Sequence, residues 1–256
     1  MKKLLFALPL CFLFTACKKT ETVTITETID LKRGLLAYYP FNGNANDTSG
    51  NNKNGIAMNG LAYSADAQNK TNSAANFDGI DDYVNIADPG GYFAPPKMTV
   101  SFMFNLRDVN KRGSFVTKSA FTTSSSVSWS CGLSVNNTPY FEYTLANADN
   151  SCSALWGSPN AQGHSIKYNT ALQNNKWYHA TLIFNMGVEM MYINGTLVSA
   201  KISNYTTLNN CSAADLKIGG WWQNDIVSIN GKFDELRIYN RILAENEIEK
   251  LAQEIN

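Results

Sequence analysis

The sequence predicts an all-β protein built as a sandwich or barrel, with one short helix at its C-terminal end. Three observations lead there. Short apolar runs alternate with period two and are broken by Gly, Asn and Pro, as in half-buried strands. Asn supplies 31 and Gly 17 of the 256 residues, and residues that bond their own backbone or accept a left-handed conformation mark tight turns. No helical blocks separate the strands, which argues against βαβ units.

The elements follow in chain order. Residues 1–16 carry Lys2 and Lys3, an apolar run from Leu4 to Phe14, then Thr15 and Ala16. A positive start, a run of about ten apolar residues and small residues at its end form a secretory signal, and the run is too short to span a bilayer. Phe14-Thr15-Ala16-Cys17 resembles the bacterial lipobox, although the family usually has Leu where Phe14 stands. That resemblance implies a lipidated Cys17 at the new N-terminus, and Lys18 after it favours the outer membrane, at the cell surface or its periplasmic face. Several acyl chains make such a protein anchored rather than spanning. Residues 17–33 are polar and Thr-rich, as in a tether, with Val23, Ile25 and Ile29 able to form an extra edge strand instead.

The body runs from 34 to 256. Its expected strands are LLAYYPF at 35–41, DYVNIA at 82–87, MTVSFMFNL at 98–106, WYHATLIFN at 177–185, EMMYING at 189–195 and KFDELRIYN at 232–240. Asn194-Gly195 between apolar runs is the strongest hairpin signal, and Asp78-Gly79 reads as another hairpin turn. In ILAENEIEKLAQE at 242–254, Leu243, Ile248 and Leu251 fall on one helical face.

Composition narrows the function. Lys+Arg and Asp+Glu both number 21, with 44% hydrophobic and 16% charged residues. This excludes a disordered chain, a coiled coil and a strongly basic nucleic-acid binder. Once the signal is gone, Cys131, Cys152 and Cys211 remain, enough for one disulfide in an exported domain. Cys131 and Cys152 flank a turn-rich stretch and form the favoured pair; three buried thiols are the alternative. No Cys/His spacing suits zinc.

Six pieces now point to a family: LLAYYPFNGNANDTSGNNKNG at 35–55, NFDGIDDYVNI at 76–86, MTVSFMFN at 98–105, KWYHATLIF with MYINGTLV at 176–198, LKIGG at 216–220 and GKFDELRIYNRILAENEI at 231–248. In this order they resemble the laminin-G-like, concanavalin A-like jelly-roll family across residues 34–253. The resemblance implies a jelly-roll β-sandwich of two antiparallel sheets, with the first and last strands adjacent. Residues 119–165 match poorly.

The family's loop at 41–55 often binds one calcium together with the Asp of the closing strand. Here that implies a structural calcium held by Asn42, Asp47 and Asp234, oxygen donors of the kind calcium prefers. The alternative is that Asp47 and the Asn residues cap a turn. Asp81 and Asp82 are read as turn and rim residues. Glycosidases need two carboxylates across a cleft, yet no Glu-x-Asp occurs. Glu245, Glu247 and Glu249 are expected on a solvated helix face, and His179 is expected to be structural, so no catalytic residue is assigned.

Binding remains. Sugar sites pair exposed aromatic rings with amides and carboxylates. Trp129, Tyr140, Tyr143, Asn150 and Trp156 in the poorly matching stretch, and Trp221 to Asp225, supply these; Trp156, Trp222, Asn224 and Tyr143 are the chosen ligand contacts. The expected function is a non-catalytic glycan-binding module of a lipoprotein, the alternatives being a module for a surface protein and a divergent hydrolase.

Overall fold

Hydrophobic alternation becomes two stacked antiparallel sheets in the computed structural model, which describes residues 29–119, 127–136, 138–145, 165–168, 170–202, 206–208, 214–221 and 225–255. The larger sheet contains β1 (Leu35–Tyr39), β3 (Ala62–Ser64), β4 (Ala74–Asp78), β6 (Lys97–Leu106), β11 (Trp177–Asn185), β12 (Val188–Ile193), β13 (Thr196–Ile202) and β15 (Asn230–Tyr239). The smaller holds β2 (Ile56–Met58), β5 (Tyr83–Ile86), β7 (Gly113–Ser119), β8 (Val127–Asn136), β9 (Thr138–Leu145), β10 (Ser165–Tyr168) and β14 (Asp215–Ile218).

In the larger sheet the order is β13-β12-β11-β6-β15-β4-β3, and β1 shares with β4 one edge of β15; the smaller runs β10-β9-β8-β7-β14-β5-β2. First and last strands are therefore neighbours, as expected. Tyr38 lies opposite Arg237 and Tyr39 opposite Leu236. A bulge between Asp234 and Arg237, with Glu235 at φ 53, marks the change of partner along β15.

Aromatic side chains on the inner faces form the core. Phe102 stacks on Phe233 at 4.8 Å, and Phe104 meets Phe115 from the facing sheet at 4.9 Å and Tyr178 at 5.5 Å. Trp129 is fully buried, its Nε1 donating to the Phe93 carbonyl at 2.7 Å, so it is a core residue rather than an exposed ligand contact. Cys131 is a free, buried thiol whose pKa burial raises. The expected bridge is thus not made from its Cys131 end; Cys152 lies outside the described residues.

The expected helix forms as α1 (Glu245–Ala252), continued by a 3-10 turn at Gln253–Ile255. Leu243, Ile248 and Leu251 pack with Ile183, Tyr192 and Tyr239 on the outer face of the larger sheet, a second apolar layer. One expectation fails here. Glu245 and Glu249 are exposed, but Glu247 is buried, receiving Arg241 at 2.6 and 2.7 Å and the Ala244 N–H at 2.9 Å. The capping position, not the helix face, decides its environment.

Two turns behave differently. Asn194-Gly195, at φ 50 and 79, joins β12 to β13 as a hairpin with both central residues left-handed. Asp78-Gly79 makes no hairpin: β4 lies in the larger sheet and β5 in the smaller, so this turn carries the chain across the sandwich. The two dipeptides are alike in sequence, but only Asn194 joins its glycine in the left-handed region, and sheet membership is not local. Ile29 is 42% exposed and in no strand; Val23 and Ile25 lie outside the described residues.

Candidate functional site

Strand register gathers several loops at one pole. Asn230 faces Asp78, Gly231 faces Leu106, and Trp177 faces Asn105. The connections at 79–82, 107–112, 170–176, 194–195 and 225–229 therefore emerge together. Two clefts open there.

The first, of about 460 Å³, lies between the start of β11, the β12–β13 hairpin and the end of α1, and is lined by Lys176, Trp177, Asn194, Thr196, Glu249 and Gln253. Trp177 shares the parity of His179 along β11, which puts it on the outer face of the sheet. It is only half-buried, and among the described residues its indole N–H donates to no group. Asn194 is oriented by its own turn: its Oδ1 accepts the His179 N–H at 2.9 Å, and its N–H donates to the His179 carbonyl at 2.8 Å.

The second cleft, of about 710 Å³, is lined by Ile80, Asp81, Asn110, Arg112, Asp225 and Ser228 among others. Gly79 shapes its floor: its φ is 79, and a Cβ would stand 2.7 Å from that of Asn230. Lys111 Nζ donates to the Gly79 carbonyl, and Arg112 pairs with Asp225 while their side chains stay 55% and 42% exposed. Such planar charged groups can each engage neighbouring hydroxyls. Asp225 directly follows Asn224 and lies three residues after Trp222 in the chain. Those two, with Trp156, lie outside the described residues. Tyr143 sits in β9 opposite Ile166 and Cys131, with only its backbone described.

Of the expected calcium donors, Asp47 stands apart from Asp234, with β1 between them. Asp47 lies along the free edge of β1, with Oδ1 accepting the Tyr38 and Ser49 N–H groups at 2.9 Å and Oδ2 accepting that of Lys53 at 3.0 Å. Burial alone would raise its carboxyl, but these three N–H groups hold it below the ordinary range. Asn42 Oδ1 accepts Lys70 Nζ at 3.0 Å. Asp234 lies in β15, on the other side of β1, so the structure does not bring Asp47 to it. Lys53 Nζ sits over the Tyr92 ring at 4.4 Å rather than at an ion.

Asp234 is the donor that fits a hard cation. It is 3% exposed, and Oδ1 accepts the Glu235 N–H at 2.8 Å. The nearby Arg237 is spent on Glu235 and Glu254 at 2.6 and 2.8 Å. Burial, with the neighbouring Glu235 and Asp66 charges, pushes the Asp234 carboxyl up to about 8. A divalent ion would reverse that cost. Asp78, Asp81 and Asp82 offer a second acidic set, their oxygens within 4.8 Å of one another. Asp82 Oδ2 already accepts the Asp78 N–H at 3.0 Å, and Asp78 Oδ1 that of Ile80 at 2.7 Å, the turn roles expected of the motif.

The family profile of the concanavalin A-like lectin/glucanases superfamily matches residues 78–249, more than half of the chain. The chain belongs to this superfamily. No curated protein matches it in sequence. Among solved structures, the binding domain of botulinum neurotoxin DC, in complex with rat synaptotagmin II, superposes with a TM-score of 0.63 at 17% identity, over 88% of this chain and 53% of that one. Domain 4 of AbnA, a GH43 extracellular arabinanase from Geobacillus stearothermophilus in complex with arabinotriose, superposes at 0.57 with 17% identity, over 86% and 98%. This chain thus spans about half the length of the neurotoxin domains and nearly all of the arabinanase domain. These likenesses show a shared fold.

Within this superfamily fold, sequence reasoning missed Trp177 and Arg112, and named Asp225 in the Trp221 to Asp225 stretch without choosing it as a ligand contact. Trp177 opens a strand whose apolar pattern reads as core. Its available signal was parity with His179, which requires knowing that α1 stops short of covering it. His179 itself is structural as expected: buried, its Nε2 is 2.8 Å from Ser101 Oγ, and burial followed by the Arg237 charge pushes it down to about 3.

Proposed function

We propose that this superfamily member is a non-catalytic carbohydrate-binding module, carried on an outer-membrane lipoprotein and stabilised by a calcium at Asp234. The observation that carries the reading is the Trp177 cleft. A partly exposed Trp177 offers an apolar face to sugar C–H groups, while its N–H, the Asn194 and Gln253 amides and the Glu249 carboxylate line the same cleft for hydroxyls. The arabinotriose complex of the arabinanase domain is consistent with it.

A glycan array run beside a pull-down of surface proteins tests this. Retention of saccharides by the wild type, and its loss in Trp177→Ala, is the expected result; capture of proteins alone would overturn it. That second outcome is the adhesion reading, which the synaptotagmin complex of a structural neighbour favours. The lipid anchor rests on the residues around Cys17 and is tested by Cys17→Ser, which should move the protein from the membrane fraction to the soluble one.

A further inference from the structure

The two clefts share a pole, and one rim joins them. In the sheet order, β11 and β4 are separated by β6 and β15. Three interstrand steps of about 4.8 Å put their ends about 14 Å apart, further than one sugar ring reaches. The rim between them comes from 107–110 and 173–176 and is pinned in place. The Asn175 N–H donates to the Leu106 carbonyl at 2.7 Å, and Asn174 Oδ1 accepts the Val109 N–H at 2.8 Å. Arg107 reaches Asn230 Oδ1 at 2.8 Å and Asn76 Oδ1 at 2.7 Å. Asn110, Asn174 and Asn175 stay exposed along it, a row of amides able both to donate to and to accept from hydroxyls.

Charge along this surface nearly cancels. Arg107, Lys111, Arg112 and Lys176 stand against Asp78, Asp81, Asp108, Asp225 and Glu249, leaving at most one net negative charge among them. A balanced surface neither steers nor holds a polyanion.

Resting on the glycan reading above, we infer that the two clefts are the ends of one elongated site, whose ligand is an internal stretch of a neutral polysaccharide. One chain seated in both clefts converts the second contact into an intramolecular event, so affinity grows with chain length without any new kind of contact.

The test uses affinity electrophoresis on arabinan, xylan, mixed-linkage glucan, polygalacturonate and alginate, followed by calorimetry on a disaccharide-to-octasaccharide ladder of the neutral polymer that retards the protein. Wild type, Trp177→Ala and Arg112→Ala are compared, their folding checked by melting. The expected result is retardation by a neutral polymer that survives added salt, with affinity rising on the order of 100-fold along the ladder. Trp177→Ala should lose binding at every length. Arg112→Ala should bind the disaccharide like wild type and lose the gain with length. Affinity independent of length, with Arg112→Ala indistinguishable from wild type, would overturn the elongated site and leave the glycan reading standing. Preferential, salt-sensitive retardation by polygalacturonate or alginate would overturn the neutral ligand. Failure of every polymer and oligosaccharide to bind would overturn the glycan reading and this inference with it.

Discussion

Glu189 offers a perturbation whose size follows from its surroundings. It lies in β12 opposite Phe184 and Lys201, wholly buried, and neither carboxylate oxygen has a hydrogen-bond partner among the described residues. Burial pushes its carboxyl from an ordinary 4.5 up to about 8, with Lys201 opposing. The folded protein therefore holds it neutral while the unfolded chain ionises. Stability is highest below the unfolded value, falls as pH rises from 4.5, and levels off above about 8. At about 1.4 kcal/mol per pH unit, the full loss is about 5 kcal/mol and the loss by pH 7 about 3. Glu189→Gln keeps the shape and removes the titration. Urea unfolding of wild type and variant from pH 5 to 8 should show the variant gaining on the wild type by about 1.4 kcal/mol per unit, worth roughly 6–12 °C in Tm at pH 7. A difference that stays constant across that range would mean that the carboxyl titrates equally in both states and is not held neutral by folding.

Four further outcomes are expected. His179, pushed down to about 3 from 6.5, is held neutral by folding, so stability is lost as pH falls from 6.5 towards 3; His179→Gln should flatten that limb in the same unfolding series. Phe233→Ala removes a ring that stacks on Phe102 at 4.8 Å and meets Phe41 at 6.1 Å, and should cost about 3–5 kcal/mol in urea unfolding. Cys131, a buried free thiol, should be silent to a thiol reagent in the native state and react once the protein is unfolded. Chelation should lower the Tm of wild type and millimolar calcium restore it, while Asp234→Asn should abolish the response; a Tm unmoved by chelator and calcium would remove the ion from the account.

Much of the fold was legible because it is written in local periodicity. β1, β6, β11 and β15 sit where the alternating runs place them, Asn194-Gly195 makes its hairpin, and α1 docks through the expected Leu243, Ile248 and Leu251. The site was less legible, and the reason is competition for atoms. Asp47 has the composition of an ion ligand, but the N–H groups of Tyr38, Ser49 and Lys53 claim its oxygens. Asp78-Gly79 has the composition of a hairpin, but its flanking strands join different sheets. Glu247 was expected in solvent until Arg241, six residues earlier, met it at the helix start. Each depends on which distant group arrives, and residue type alone does not report that.

β15 runs from the cleft-bearing pole at Asn230 to Tyr239, which pairs with Leu35 at the far end. Ten residues of strand, about 33 Å, thus separate Leu35, where the first strand begins, from the pole that carries both clefts, so a ligand held in either cleft would sit at the end of the sandwich remote from that strand's start.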